Sequence, residues 1–219
     1  MAVTAHGNEL GIPAPANDRR DVVLAGHEGD EAAARRGLTH ASPAVRASAL
    51  TALARLRALS AGDVDAALDD PDPAVRGTAC ELASGLVAVD LRPHLRSAEP
   101  NVVEAAAWAL GERGEAASDS VADLAEVATG HDDALCREAA VAALGAIGHE
   151  SGLEAILAAT RDRPAVRRRA VIALAPFEGP AVDAALERAL GDRDWQVRQA
   201  AEDLRADPPG EKGEKGEKG

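Results

Sequence analysis

Aromatic residues are almost absent from this sequence, which has two tryptophans, one phenylalanine and no tyrosine among 219 residues. A hydrophobic core must therefore be built from alanine, leucine and valine, which suits closely packed helices. The same scarcity argues against a large ligand pocket lined by aromatic rings. We expect no bound cofactor.

Basic residues and cysteines are also scarce. Acidic residues outnumber basic ones by 37 to 24, the formal net charge is -13, and the three lysines all lie in the last eight residues. This disfavours nucleic acid as a partner, because binding to phosphates relies on clustered Lys and Arg. Cys80 and Cys136 lie on apolar stripes, where free cysteine behaves as a small buried hydrophobe. Without a disulfide framework, a signal segment or an apolar run long enough for a membrane span, we predict a cytoplasmic protein that does not contact membranes.

One helical pattern recurs along the chain, and it is clearest at residues 131–148. Asp133 is a good N-cap, since its carboxylate can accept from the free N–H groups of the first turn. Gly145 and Gly148 are predicted to end the helix, because glycine readily adopts the positive φ of a C-terminal cap. The apolar residues between them fall on one side of the helix: Cys136, Ala140, Leu144 and Ile147.

Similar segments occur five more times, at intervals of about 30 residues. Proline stands at the first helical position in four of the copies, where its missing N–H is not needed. A period near 30 residues is typical of a solenoid of helix pairs. The other copies begin at Ser42, Asp72, Glu99, Arg163 and Asp194.

The shared pattern is an acidic residue, proline, Val-Arg, small residues and then Leu-Gly-x-Ile-Gly. It resembles the HEAT-repeat family, and in particular the short bacterial repeats called PBS-lyase HEAT-like, over residues 30–206. The resemblance implies an all-α protein folded as a right-handed α-α superhelix, a HEAT-like solenoid of about six helix pairs. It leaves the function open, because such repeats serve many unrelated tasks.

We predict three regions: a flexible N-terminal arm at 1–17, a HEAT-like solenoid at 18–206, and a disordered Gly-Glu-Lys tail at 207–219, which has too little apolar surface to order. Short helices are expected at 18–25 and 30–38. The first helices of the repeats are expected at 43–58, 73–86, 100–111, 134–147, 164–176 and 195–205. The second helices are expected at 63–68, 89–95, 120–129, 152–160 and 181–190. Pro93 falls inside the second of these, so that helix should be short or start late.

The arginine that follows the recurring valine of each repeat forms a column through the repeats, interrupted by Val103. It is made of Arg46, Arg76, Arg137, Arg167 and Arg198. Surface arginines can bind a carboxylate or phosphate partner. We favour a structural ladder, in which each arginine bonds an acidic residue in the turn before it, because Asp70 and Asp192 stand six residues before Arg76 and Arg198.

Two His-Glu pairs, His27-Glu28 and His149-Glu150, bear on an enzymatic alternative. Some HEAT-repeat proteins resemble deoxyhypusine hydroxylase, which holds two irons with His-Glu dipeptides on its inner helices. Here both pairs fall after glycines, so we interpret them as turn residues and expect no metal site. Sequence motifs of nucleophilic catalysis are missing as well. A phycobilin lyase activity belongs to the wider family, but nothing in the sequence marks a pigment site.

A second column, five residues after the arginine position, is predicted to face outward. It comprises Thr51, Glu81, Trp108, Ala142, Ile172 and Asp203. Trp108 and Ile172 are unexpected on such a face, and tryptophan is enriched where partners dock. The alternative is that Trp108 is covered by its alanine-rich neighbours. Trp195 replaces the proline at a helix start, and we interpret it as a capping contact.

We therefore predict a monomeric, non-enzymatic scaffold for protein–protein interaction, with Trp108 and Ile172 on the surface that binds an unidentified protein partner. The alternatives are an oxidoreductase resembling deoxyhypusine hydroxylase and a pigment-lyase-like HEAT protein.

Overall fold

The computed structural model describes residues 18–206, so the predictions for the arm at 1–17 and the tail at 207–219 fall outside the described residues. Residues 18–206 form twelve α-helices and contain no β-strand. They belong to two compact units, one ending at Ala58 and one beginning at Leu59. The all-α class is thus confirmed, while the division of the chain at residues 17 and 207 stays a prediction.

The first unit contains three helices that pack on one another. They are α1 (Asp18–Glu28), α2 (Glu31–Gly37) and α3 (Pro43–Arg55). All three were predicted, although α1 is one turn longer than expected. His27 and Glu28 therefore lie in the last turn of a helix, which corrects their assignment to the following turn.

The second unit is a two-layered solenoid of helix pairs. The first helices of its repeats pack side by side in one layer: α5 (Pro73–Leu82), α6 (Pro100–Glu112), α8 (Ala134–Ile147), α10 (Pro164–Ala173) and α12 (Trp195–Ala206). The second helices form the other layer: α4 (Ala61–Leu68), α7 (Val121–Gly130), α9 (Leu153–Ala159) and α11 (Pro180–Leu190). Each helix buries its apolar stripe against its neighbours, as repeat proteins do.

The helix starts follow the local chemistry predicted from the sequence. Asp72, Asp133 and Asp194 accept from backbone N–H groups two residues later, at 2.9, 2.8 and 2.9 Å. The predicted caps Ser42 and Glu99 make no side-chain cap hydrogen bond. Proline at the first helical position therefore sets these two starts without a side-chain cap.

The predicted helix at 89–95 is short and starts late, as expected from Pro93, but it is a 3₁₀ helix, Arg92–Arg96, rather than an α-helix. Pro93 has no N–H for a helical hydrogen bond. Val89 and Leu91 are nevertheless buried, so the irregular segment fills the second-helix layer. The Arg113 guanidinium donates to the carbonyls of Ala83, Leu86 and Val89 at 2.9, 3.2 and 2.9 Å, and so links the end of α6 to the segment that follows α5.

The two glycines at the end of α8 have different roles. Gly148 adopts φ 68° and ends the helix, as predicted. Gly145 lies inside the helix, so its predicted role as a terminator is wrong. A Cβ at Gly145 would stand 2.6 Å from Ala173 Cβ and 2.7 Å from Ala173 Cα. Gly145 is therefore required for the close approach of α8 and α10.

Gly145→Ala is expected to destabilise the second unit by about 1–3 kcal/mol, since overpacking of this size outweighs the better helix propensity of alanine. Gly62 in α4 is the matched control, because a Cβ there meets only Ser60 Oγ at 3.9 Å. Gly62→Ala should leave stability unchanged or slightly raised. Urea unfolding followed by circular dichroism measures both, and equal losses would refute the close-packing role.

Candidate functional site

One groove in the second unit is lined by first helices. It has a volume of about 1020 Å³ and is formed by side chains of α5, α6, α8 and α10. Its apolar lining consists largely of small residues: Ala105, Gly111, Ala139, Ala142, Ala143 and Ala146. Small side chains let these helices pack closely and leave open space above them.

Trp108 stands in this groove. It is 48% exposed, although its neighbours Ala107 and Ala109 on α6 are buried. The ring projects from the outer side of α6, opposite the buried stripe, as the helical period requires. Within residues 18–206, the alanine-rich neighbours of Trp108 thus leave about half of the residue exposed. Leu135, 57% exposed, lines the same groove from α8.

Ile172 lines a separate, smaller groove between α10 and α12. It is 45% exposed. Trp195, Leu204 and Arg168 line the same groove. Trp195 is exposed as the first residue of α12, so it adds to the apolar surface here. The structure thus places the two predicted partner residues in neighbouring grooves rather than in one patch.

Carboxylates surround Trp108. On α6, Glu104 and Glu112 lie four residues before and after it, on the same side of the helix. Glu81 of α5 also lines the groove. Burial, together with the negative charges of Asp133 and Glu138, raises the pKa of Glu104. The groove therefore has an apolar floor and a negatively charged rim.

Among the described residues, Arg169 is the one basic residue that lines this groove. Its Nη2 atom lies 3.5 Å from a carboxylate oxygen of Glu138. Among residues 18–206, Glu81, Glu104 and Glu112 have no comparable ion pair. Three of the four glutamates of the groove thus lack a cationic partner within the described part of the chain.

The arginine column lies between repeats and bonds the backbone of the preceding turn. Arg76, Arg137 and Arg198 each donate from Nη1 to the carbonyl six residues earlier. The acceptors are Asp70 at 2.7 Å, His131 at 2.7 Å and Asp192 at 2.6 Å. In the first unit, Arg46 donates to the His40 carbonyl at 2.9 Å. Arg76 and Arg198 thus bond the acidic residues Asp70 and Asp192 through backbone carbonyls. Arg46 and Arg137 bond the carbonyls of histidines at the equivalent position.

The carboxylates that pair with this column come from the following repeat. Arg137 holds both oxygens of Asp162 at 2.6 and 2.8 Å, and Arg167 holds both oxygens of Asp192 at 2.9 and 2.8 Å. Arg76 likewise reaches Glu99 at 2.8 Å. These hydrogen bonds lower the pKa of Asp162 and of Asp192. The arginines thus join one repeat to the next.

The cysteines and the two His-Glu pairs line neither groove. Cys80 and Cys136 are buried free thiols, and burial raises their pKa values to about 12 and about 11, which disfavours the nucleophilic thiolate. The imidazole of His149 bonds Ser151 in a turn. Within residues 18–206, no three His, Cys, Asp or Glu side chains are grouped as metal ligands, and no helix has the length and apolar character needed to cross a membrane.

Comparison with solved structures finds matches of low similarity. Human deoxyhypusine hydroxylase in complex with glycerol is 22% identical with a TM-score of 0.46, covering 86% of this chain and 78% of that chain. An engineered protein is 20% identical with a TM-score of 0.46, covering 84% of this chain and 85% of that chain. Neither likeness bears on what this chain binds or catalyses. No curated protein matches the sequence.

The sequence matches the family described as HEAT repeats three times, over residues 64–145, 88–175 and 121–205. These overlapping matches cover the helix pairs of the second unit, including the helices that line both grooves. The chain belongs to the HEAT-repeat family.

Proposed function

We propose that this chain is a non-enzymatic scaffold that binds a protein partner through the outer face of its first helices. The observation that carries the proposal is the exposure of Trp108 in a groove with a small-residue floor. Docking on such a ring removes apolar area from water, at about 25 cal/mol per Å². Tryptophan frequently carries much of the energy of a protein interface.

The second groove, around Ile172 and Trp195, extends the proposed docking face. A partner that spans both grooves would gain from two anchors at once. Because the grooves are separate, each anchor is expected to contribute independently to affinity.

The buried thiols and the placement of the His-Glu pairs support a non-enzymatic role over the oxidoreductase and lyase alternatives. His27-Glu28 ends helix α1, and His149-Glu150 begins a short 3₁₀ turn. The two pairs belong to different compact units. Free, buried cysteines also fit a cytoplasmic location, which we propose for this protein.

Trp108→Ala is expected to weaken partner capture at least tenfold, which corresponds to about 1.4 kcal/mol, while leaving helicity unchanged because the ring fills no core space. The tagged full-length protein is used to isolate partners from its own cells, with mass spectrometry as the readout. Val87→Ala is the control, since Val87 is more exposed than Trp108 and lies outside both grooves. A partner retained equally by both variants would show that the Trp108 groove is not the docking surface.

A further inference from the structure

The Trp108 groove combines an aromatic face with uncompensated negative charge. Glu104, Trp108 and Glu112 follow one another at four-residue intervals along α6, so a carboxylate precedes and follows the ring on the same side of the helix. Glu81 occupies the position on α5 that corresponds to Trp108 on α6. A group lying against the ring is therefore close to carboxylates from two helices.

This arrangement selects a cation that also has an apolar or planar surface. A guanidinium can stack on an indole ring and donate to carboxylates through its edge. A phosphate or a carboxylate in the groove would be repelled by Glu81, Glu104 and Glu112. A purely apolar side chain would cover the ring but would further desolvate these charges, which is unfavourable.

A second copy of this chain is a poor occupant. The formal net charge of -13 makes copies repel one another. Each lysine of the chain directly follows a glutamate within residues 211–218, so these residues offer no excess of positive charge. Charge complementarity thus favours a different protein with a basic segment.

We infer that the Trp108 groove binds an arginine-bearing segment of a partner protein, with a guanidinium against the Trp108 ring and its charge met by Glu81, Glu104 and Glu112. The inference rests on the proposed function, because it assigns a chemical class to the partner of the same surface. Arg169, already paired with Glu138, forms the opposite side of the groove and leaves these three glutamates for the partner.

Three labelled nine-residue peptides test the inference directly. The first peptide carries arginine at alternate positions, the second glutamine and the third glutamate, with serine at all other positions. Alternate residues are chosen because they share one face of an extended segment. Binding to the full-length protein is measured by fluorescence polarisation. In a Trp195→Phe background, tryptophan emission reports on Trp108 alone. Only the arginine peptide is expected to bind and to change this emission.

Two charge-matched double variants separate local from overall electrostatics. Glu104→Gln with Glu112→Gln removes two charges from the groove, and affinity for the arginine peptide should fall at least tenfold. Glu154→Gln with Glu178→Gln removes two exposed charges that line neither groove, and affinity should change less than twofold. Trp108→Leu keeps an apolar side chain without the π face, and should weaken binding as well. Circular dichroism confirms that each variant is folded.

Equal losses from the two double variants would overturn the inference, because binding would then reflect net charge alone. Failure of all three peptides to bind would also overturn it. Equal binding of the glutamine peptide would refute the charge preference while leaving Trp108 as a docking site. In that case the partner captured through Trp108 would still support the proposed scaffold, so the two failures are distinguishable.

Discussion

Replacing Leu144 with alanine is expected to lower the free energy of unfolding by about 2–5 kcal/mol, the range for large-to-small substitutions in a core. Leu144 is 1% exposed and faces the second-helix layer. A Cβ on Gly152 would lie 3.1 Å from Leu144 Cδ2 and 3.4 Å from Val121 Cγ1. The truncated side chain would therefore leave a cavity among α7, α8 and the start of α9. Urea unfolding followed by circular dichroism gives the value.

Leu135→Ala on the same helix is the matched control. Leu135 is mostly exposed and lies on a different side of α8 from the buried stripe, so its truncation should cost less than about 1 kcal/mol. The two substitutions replace the same residue type in the same helix. They differ in the side of α8 on which the leucine side chain lies. Similar costs for the two variants would show that the register of α8 is incorrect.

The register of the helices was predictable because it depends on local spacing. The predicted stripe Cys136, Ala140, Leu144 and Ile147 is buried, since a 3.6-residue period fixes which residues share a face. The start of α8 was also predictable, because Asp133 bonds the N–H of Leu135, only two residues away. Contacts between residues a few positions apart can be predicted from the local sequence.

Contacts between repeats were not predictable in the same way. Glycine commonly ends a helix, so the sequence suggested that role for Gly145. Its actual role, the close approach of α8 and α10, depends on Ala173, which belongs to the next repeat. Arg113 donates hydrogen bonds to backbone carbonyls 24–30 residues earlier in the chain, in the irregular segment of the preceding repeat. Local propensity contains no information about such partners, which explains why both roles were missed.

The candidate site was partly predictable for the same reason. The outward position of Trp108 follows from helical spacing, and its exposure agrees with it. The groove that surrounds the ring depends on how closely α5, α6, α8 and α10 pack, which a single repeat does not specify. The flanking glutamates Glu104 and Glu112 were a usable signal, because they stand at four-residue spacing on the same helix. The exposure of Trp195 was not expected, since its position suggested a capping contact.

Arg167→Ala is expected to cost about 3–5 kcal/mol of stability, the range for removing one partner of a buried ion pair. Arg167 is 8% exposed, and Asp192 is nearly as buried. The variant loses both bonds to the Asp192 carboxylate and the bond from Nη1 to the Asp162 carbonyl at 2.8 Å. It would leave Asp192 with its charge and without its cationic partner, between two repeats.

Arg205→Ala is the control for an exposed ion pair. Arg205 bonds Glu187, but both side chains are solvent-exposed, and such pairs contribute about 0–1 kcal/mol. Thermal and urea unfolding of both variants measure the difference. Equal small losses would mean that the Arg167 pair is a surface pair in solution, and that it does not join the repeats.

The Arg167–Asp192 ion pair should make the stability of the protein depend on pH. Because Arg167 lowers the pKa of Asp192 in the folded protein below its ordinary value of 3.8, the native state favours the ionised carboxylate. The stabilisation is fully present above the unfolded pKa and is lost as pH falls through the folded pKa. Asp192→Asn removes this dependence and also weakens the pair. The stability difference between the wild-type protein and Asp192→Asn should therefore be constant from about pH 7 to pH 5 and shrink at lower pH. A difference that grows on acidification would contradict the lowered pKa and the ion pair that causes it.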